Sequence, residues 1–186
     1  MHLHNVSKEA LMGRRLFLDL DGVMMDFEQH YIDCFGPKPN DDDLMWETIH
    51  AHGEFFATMP LMPGAKDFFE EIKHLDPIIC TACSKTHYAD VAKQKRQCVR
   101  EKLTTDHLIL PTWGGASKPL FMHAPGDILI DDWKRNIDLW RKAGGIGIKH
   151  TSIPETSLEL SAMIADKFRK VEKHMTFAMQ YGDGHV

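Results

Sequence analysis

Cysteine is scarce in this chain, with four residues in 186, Cys34, Cys80, Cys83 and Cys98. They are too few and too scattered for a disulfide framework, so the fold has to rest on its apolar core. No apolar run approaches the roughly 18 residues of a membrane span, and no basic N-terminus leads into an apolar stretch. A cytoplasmic protein with no membrane partner is therefore expected. Positive charge is also short: 22 Lys and Arg stand against 27 Asp and Glu, a formal net charge of −5. That balance argues against a broad basic face for a nucleic-acid polymer, but leaves a single nucleotide open as a ligand. There is no internal repeat and no low-complexity segment.

What the chain does have is alternation. Short apolar runs at Leu16–Leu20, Pro77–Thr81, His107–Leu110, Asp127–Ile130 and Ile146–Lys149 are bounded by Gly, Pro or Asp and read as five strands. Between them, Ala65–Leu75, His87–Lys102 and Trp133–Ala143 carry apolar residues at spacings of three and four, and Gly144-Gly145 supplies a stop after the last. Strands that alternate with helices imply right-handed crossovers and a parallel sheet covered on both faces. The expected fold class is α/β, with ligands bound at the carboxyl ends of the strands.

Residues 27–62 break the alternation. Helical pattern in Glu28–Phe35 and Leu44–His52 flanks "GPKPNDDD", which points to a small helical cap inserted after the first strand. The core domain is then 1–26 and 63–186. Pro154–Gln180 reads as one or two amphipathic helices, with a frayed end at "YGDGHV".

The first strand stops at Asp19-Leu20-Asp21-Gly22, with two carboxylates two positions apart. Like charges that close call for a turn or a cation between them. At the ends of other strands stand Thr81 in "IICTACSK" and Asp131-Asp132 in "DILIDD", and Lys118 lies in "GGASKP". Phosphoryl transfer to a carboxylate needs a nucleophile, a shielding cation, donors for phosphate oxygens and an acid for the leaving alcohol. Asp19 would attack, Asp21 would donate and later take the proton, and Thr81 and Lys118 would hold oxygens. Asp131 would complete a Mg²⁺ site with Asp19, with Asp132 as a second-best ligand, since oxygen-only donors suit Mg²⁺.

These four motifs, in this order, resemble those of the haloacid dehalogenase superfamily over roughly Leu16 to Lys149. That resemblance implies a Rossmannoid three-layer sandwich with a central parallel sheet. Within the superfamily, "LDGVMMDFE", "MPLMPGAKDFFEEI" and "IICTACSK" are similar to the 5'(3')-deoxyribonucleotidase group. The finer resemblance implies a magnesium-dependent hydrolase of (deoxy)ribonucleoside monophosphates working through a phosphoaspartate. It also implies a metal contact from the Asp21 backbone carbonyl, and contacts to phosphate and base from Lys85 and Phe27. A homodimer is left open.

Two alternatives stand beside this reading, a phosphatase of another small phosphomonoester and a catalytically silent nucleotide-binding protein. Phe27 and Trp46 can be read as a slot for a base or as packing of the insertion together with Tyr31, Phe35, Phe55 and Phe56. Cys80 and Cys83 match a Cys-x-x-Cys redox spacing, but Cys80 lies in an apolar strand, which disfavours a reactive thiolate. The twelve histidines have no companion ligands at zinc spacing, and "GGASKP" lacks the Walker spacing.

Overall fold

The computed structural model describes residues 3, 6 and 8–165. Five strands, β1 (Leu16–Leu18), β2 (Ile78–Cys83), β3 (Ile109–Trp113), β4 (Ile128–Asp131) and β5 (Ile146–Lys149), form one parallel sheet in the order β3-β2-β1-β4-β5. Phe17 is in register with Ile78 on one side and Leu129 on the other. The order reverses at β1, so the carboxyl ends of β1 and β4 flank the switch point where such sheets open a crevice.

Three of the expected strands differ by two or more residues at an end, the first because β1 stops at Leu18 instead of Leu20. β2 runs on to Cys83 instead of ending at Thr81, and the third strand is displaced to Ile109–Trp113. Both extensions come from pairing, because Thr81, Ala82 and Cys83 lie in register with Pro111, Thr112 and Trp113. Proline in β3 fits its place at the sheet edge.

The strands alternate their side chains between two apolar clusters. Leu16, Leu18, Ile79 and Ile130 face a large cluster with Phe68 and Phe69 of α4 (Ala65–Ile72) and Val91, Cys98 and Val99 of α5 (Tyr88–Lys102). Phe17, Cys80 and Leu129 face a smaller one with Ile137 and Trp140 of α6 (Lys134–Lys142). Helices on both faces make three layers.

Residues 27–62 form α1 (Phe27–Phe35), α2 (Asp42–His52) and α3 (Phe55–Thr58), each before α4 in the chain. Asp26 caps α1 by accepting the Gln29 amide, and Asp41 caps α2 by accepting the amides of Asp43 and Leu44. The chain enters and leaves the insertion side by side, with Met25 bridged to Leu61 and the Met62 amide donating to Met24 O. Met45, Ile49, Phe55 and Phe56 belong to the same cluster as the sheet, so the insertion shares the main core rather than building its own. Of the expected tail helices, residues 153–165 are helical and the remainder lies outside the described residues.

Candidate active site

Asp19 follows β1 directly, with its amide donating 2.9 Å to Ile130 O on β4, which fixes it over the switch point. Its Oδ1 accepts the Leu20 amide at 2.8 Å and lies 2.7 Å from Lys118 Nζ. Lys118 comes from a short 3₁₀ turn, Gly115–Phe121, and reaches Asp131 Oδ2 at 2.6 Å. Asp131 Oδ1 accepts the Trp133 amide at 2.8 Å, and Asn136 Nδ2 lies 3.2 and 3.1 Å from the two oxygens. The sequence thus brings together Asp19 from just after β1, Lys118 from the turn before β4 and Asp131 from the end of β4.

Oxygens of Asp19, Asp131 and Asp132 lie within 4.8 Å of one another. Gly22, at φ +72°, lets the loop after β1 pass against Asp132; any side chain there would strike that carboxylate. Burial, then the charge of Asp19, pushes the Asp131 carboxyl up to about 7 against the pull of Lys118. Asp132 is open to solvent on its outer side, yet loss of water on its inner side, with Asp19 and Asp21, raises it to about 6. Burial works against the Lys118 ammonium, but Asp19 and Asp131 outweigh it and hold its pKa above the ordinary lysine value.

Asp21 projects beside this group and is paired with Lys95 of α5. Burial raises the Asp21 carboxyl, with Lys95 opposing and Asp19 reinforcing the shift. When all four are ionised, the carboxylates Asp19, Asp21, Asp131 and Asp132 outnumber the two ammoniums, Lys95 and Lys118, by two negative charges. Among the described residues, Asp21 Oδ1 and Asn136 Oδ1 are buried without a hydrogen-bond partner. A donor set of oxygens alone with a surplus of two negative charges fits a hard divalent cation such as Mg²⁺.

Thr81 is placed differently from its sequence reading. It lies inside β2, is wholly buried, and its hydroxyl accepts Lys95 Nζ at 3.1 Å. The strand end that lines the cleft is Ala82, Cys83 and Ser84, followed by exposed Lys85. Lys95 and Asn136 were missed by the sequence reading. Both carried a faint signal: Lys95 stands in the apolar stripe Val91, Cys98 and Val99, and Asn136 beside Ile137, one turn before Trp140.

Above the carboxylates opens a cleft of about 1260 Å³ walled by the insertion on one side and the loops after β2 and β4 on the other. Phe27, Trp46 and His50 line the insertion side, and Lys85, His87 and Trp133 line the other. Phe27 and Trp46 lie with ring centroids 6.1 Å apart, and His50 stacks on Trp46 at 6.1 Å. The His50 imidazole in turn stacks on that of His87 at 3.9 Å, joining α2 to the start of α5. Phe27 also packs edge-on against Phe55 at 5.5 Å, so it serves both cleft and core.

No protein-family model and no curated protein matches the sequence. Solved structures with a similar chain path include a haloacid dehalogenase-like hydrolase from Streptococcus pneumoniae, 18% identical with a TM-score of 0.46. That match covers 74% of this chain and 84% of that one. A HAD-superfamily hydrolase of subfamily IA, variant 1, from Geobacter sulfurreducens is 14% identical with a TM-score of 0.43, over 73% of this chain and 86% of that one. The HAD domain of the Legionella pneumophila effector Lem4 is 10% identical with a TM-score of 0.40, over 83% and 97%.

Proposed function

We propose that the chain is a phosphomonoester hydrolase of the haloacid dehalogenase type, with Asp19 as nucleophile and a nucleoside monophosphate as substrate. The observation that carries this reading is the Asp19 carboxylate at the end of β1, pinned by buried Lys118 and facing Asp131 and Asp132. Both bonds to Asp19 fall on Oδ1, and Oδ2 is the oxygen we assign to attack. Attack on phosphorus breaks the ester P–O bond, and the departing oxygen takes the Asp21 proton to leave as an alcohol. Asp21, now a carboxylate, takes a proton from water; that water attacks the phosphoaspartate, releases inorganic phosphate and returns Asp19. Lys118 holds charge at the nucleophile throughout, and Lys85 at the cleft wall meets the phosphate. A Mg²⁺ ion held by Asp19, Asp131, Asp132 and the Asp21 backbone carbonyl would offset the repulsion between the anionic nucleophile and the anionic phosphate.

Substrate size and charge follow from the cleft. Its volume exceeds what a bare phosphate or a small sugar phosphate fills, and the exposed face of Trp46, 37% accessible, with Phe27 beside it, offers a flat apolar surface for a base. On the same wall Lys38 is paired with Glu28 at 2.7 Å, which leaves Asp42, Asp43 and Glu47 as like charge toward further phosphates on a ligand. That favours monophosphates over di- and triphosphates.

A phosphate-release panel of nucleoside mono- and diphosphates and sugar phosphates, with and without Mg²⁺, tests the reading. Nucleoside monophosphates should be turned over best, and Asp19→Asn should lose several orders of magnitude while still unfolding cooperatively. More than a few per cent of wild-type release in that variant would remove Asp19 as nucleophile. Better turnover of sugar phosphates than of every nucleotide would return the chain to its alternative as a general small-phosphate hydrolase.

A further inference from the structure

Lys95 is 1% exposed, at the middle of α5, on a buried face whose other residues are Val91, Ala92, Gln94, Cys98 and Val99. Its ammonium protons all have acceptors: Asp21 Oδ2, Thr81 Oγ1 at 3.1 Å and Ala82 O at 2.6 Å. The ring of Phe56 on α3 covers the same nitrogen, with the centroid 4.8 Å away. α3 is tied to α5 at this point, because Gln94 Oε1 accepts the Phe56 amide at 3.0 Å and Gln94 Nε2 donates to Gly53 O at 2.8 Å. One buried lysine thus joins the loop after β1, the end of β2 and the insertion.

Packing alone gives no reason for an ammonium here. Burying the charge carries a desolvation cost that an apolar side chain of similar volume avoids. The lysine is saturated, so it has no proton left for a phosphate oxygen. What it does fix is Asp21, whose Oδ2 it holds while Oδ1 has no partner among the described residues. We propose that Lys95 is a positioning residue: by anchoring Asp21 Oδ2 it fixes the Asp21 carboxyl at the cleft wall in the orientation from which its proton passes to the leaving oxygen, and Phe56 keeps the anchor in place when the insertion is seated. This rests on the hydrolytic reading, in which Asp21 passes its proton to the departing alcohol.

The test is the leaving group. An alkyl phosphate needs that proton to depart, whereas p-nitrophenolate leaves without it, and kcat/KM reports only the steps through the first ester cleavage. Lys95→Met should lower kcat/KM for an alkyl phosphomonoester at least tenfold more than for p-nitrophenyl phosphate. Lys95→Arg should recover part of the difference, and adding Lys95→Met to Asp21→Asn should cost no further selectivity between the two esters. Equal losses on both esters, or an unchanged ratio, in an enzyme that remains active would overturn the role of Lys95 and leave the phosphatase reading intact. A wild-type protein inert toward both would overturn the two together. Should Lys95→Met fail to fold, Lys95→Gln, which keeps a donor near Asp21, is read by the same ratio.

Discussion

The ammonium of Lys118 lies 2.6 Å from Asp131 Oδ2, and neither side chain reaches solvent. With Asp19 2.7 Å away on the other side, one buried cation separates two carboxylates that converge from different strands. Removing a partner from such a group strands the remaining charges without water. Lys118→Met should therefore lower the unfolding free energy by about 3 to 5 kcal/mol, measured by chemical denaturation, and abolish phosphate release. Adding Asp131→Asn should recover part of the stability but none of the activity. A neutral effect on stability would mean that the cluster is better hydrated than its burial indicates.

Metal and pH act on the same carboxylates. Asp131 is raised from 3.8 to about 7 and Asp132 from 3.8 to about 6, so between these limits the folded state keeps protons that the unfolded chain has released. The slope of stability with pH is then negative: their contribution is full below the unfolded value and is lost as pH rises through about 6 to 7. His30, His50 and His150, each lowered by burial, work in the opposite sense and lose stability as pH falls. Thermal unfolding in EDTA and in Mg²⁺ separates the two effects, because Mg²⁺ replaces the protons on the carboxylates but leaves the histidines alone. The stabilisation by Mg²⁺ should grow as pH rises from 4 to 8. A difference that does not change with pH would remove Asp131 and Asp132 from the metal site.

The cysteines provide a check on the redox alternative. Cys80 and Cys83 point to opposite faces of β2, Cys80 into the cluster with Trp140 and Cys83 into the larger one. Burial pushes the Cys80 thiol up to about 12 and that of Cys98 to about 11. Neither is a nucleophile near neutral pH. A thiol reagent should label exposed Cys34 in the native protein and leave Cys80 and Cys98 untouched until unfolding. Mild oxidation should produce no Cys80–Cys83 disulfide in intact-mass measurements, and its appearance would reopen the redox reading.

The strands and the acidic cluster at their carboxyl ends were legible in the sequence because each rests on local chemistry, short apolar runs ended by Asp and Gly where the chain turns; the strand order, and with it the switch point, was not. Asp19, Lys118 and Asp131 needed only their order along the chain and the rule that parallel strands share one functional edge. Thr81 was misplaced because pairing with β3 extends β2 by two residues, and strand length is set by the neighbour. Lys95 was passed over because a lysine in a helix is by default solvated. Its place in the stripe of Val91 and Cys98 is readable from the spacing, but only the third dimension shows that Asp21 waits there. The aromatics of the insertion could not be divided in advance between core and cleft, since Phe27 turns out to face both.

That division shapes the test of base recognition. Phe27→Ala alone is ambiguous, because the ring packs on Phe55 at 5.5 Å and carries Lys38 over its face at 5.5 Å. It should lose stability as well as substrate affinity. Trp46, 37% exposed on α2, is the cleaner probe, since truncating a half-open ring costs the core little. If a base stacks there, Trp46→Ala should lose about 1 to 3 kcal/mol of nucleotide recognition, taking the range for base stacking on aromatic side chains. The loss should fall on kcat/KM for a nucleoside monophosphate, while hydrolysis of a phosphomonoester without a base changes little. Equal losses on both substrates, with the unfolding temperature unchanged, would show that Trp46 shapes the cleft without reading the base. Retention of full nucleotide activity would move base recognition off this wall, toward Trp133 on the facing loop.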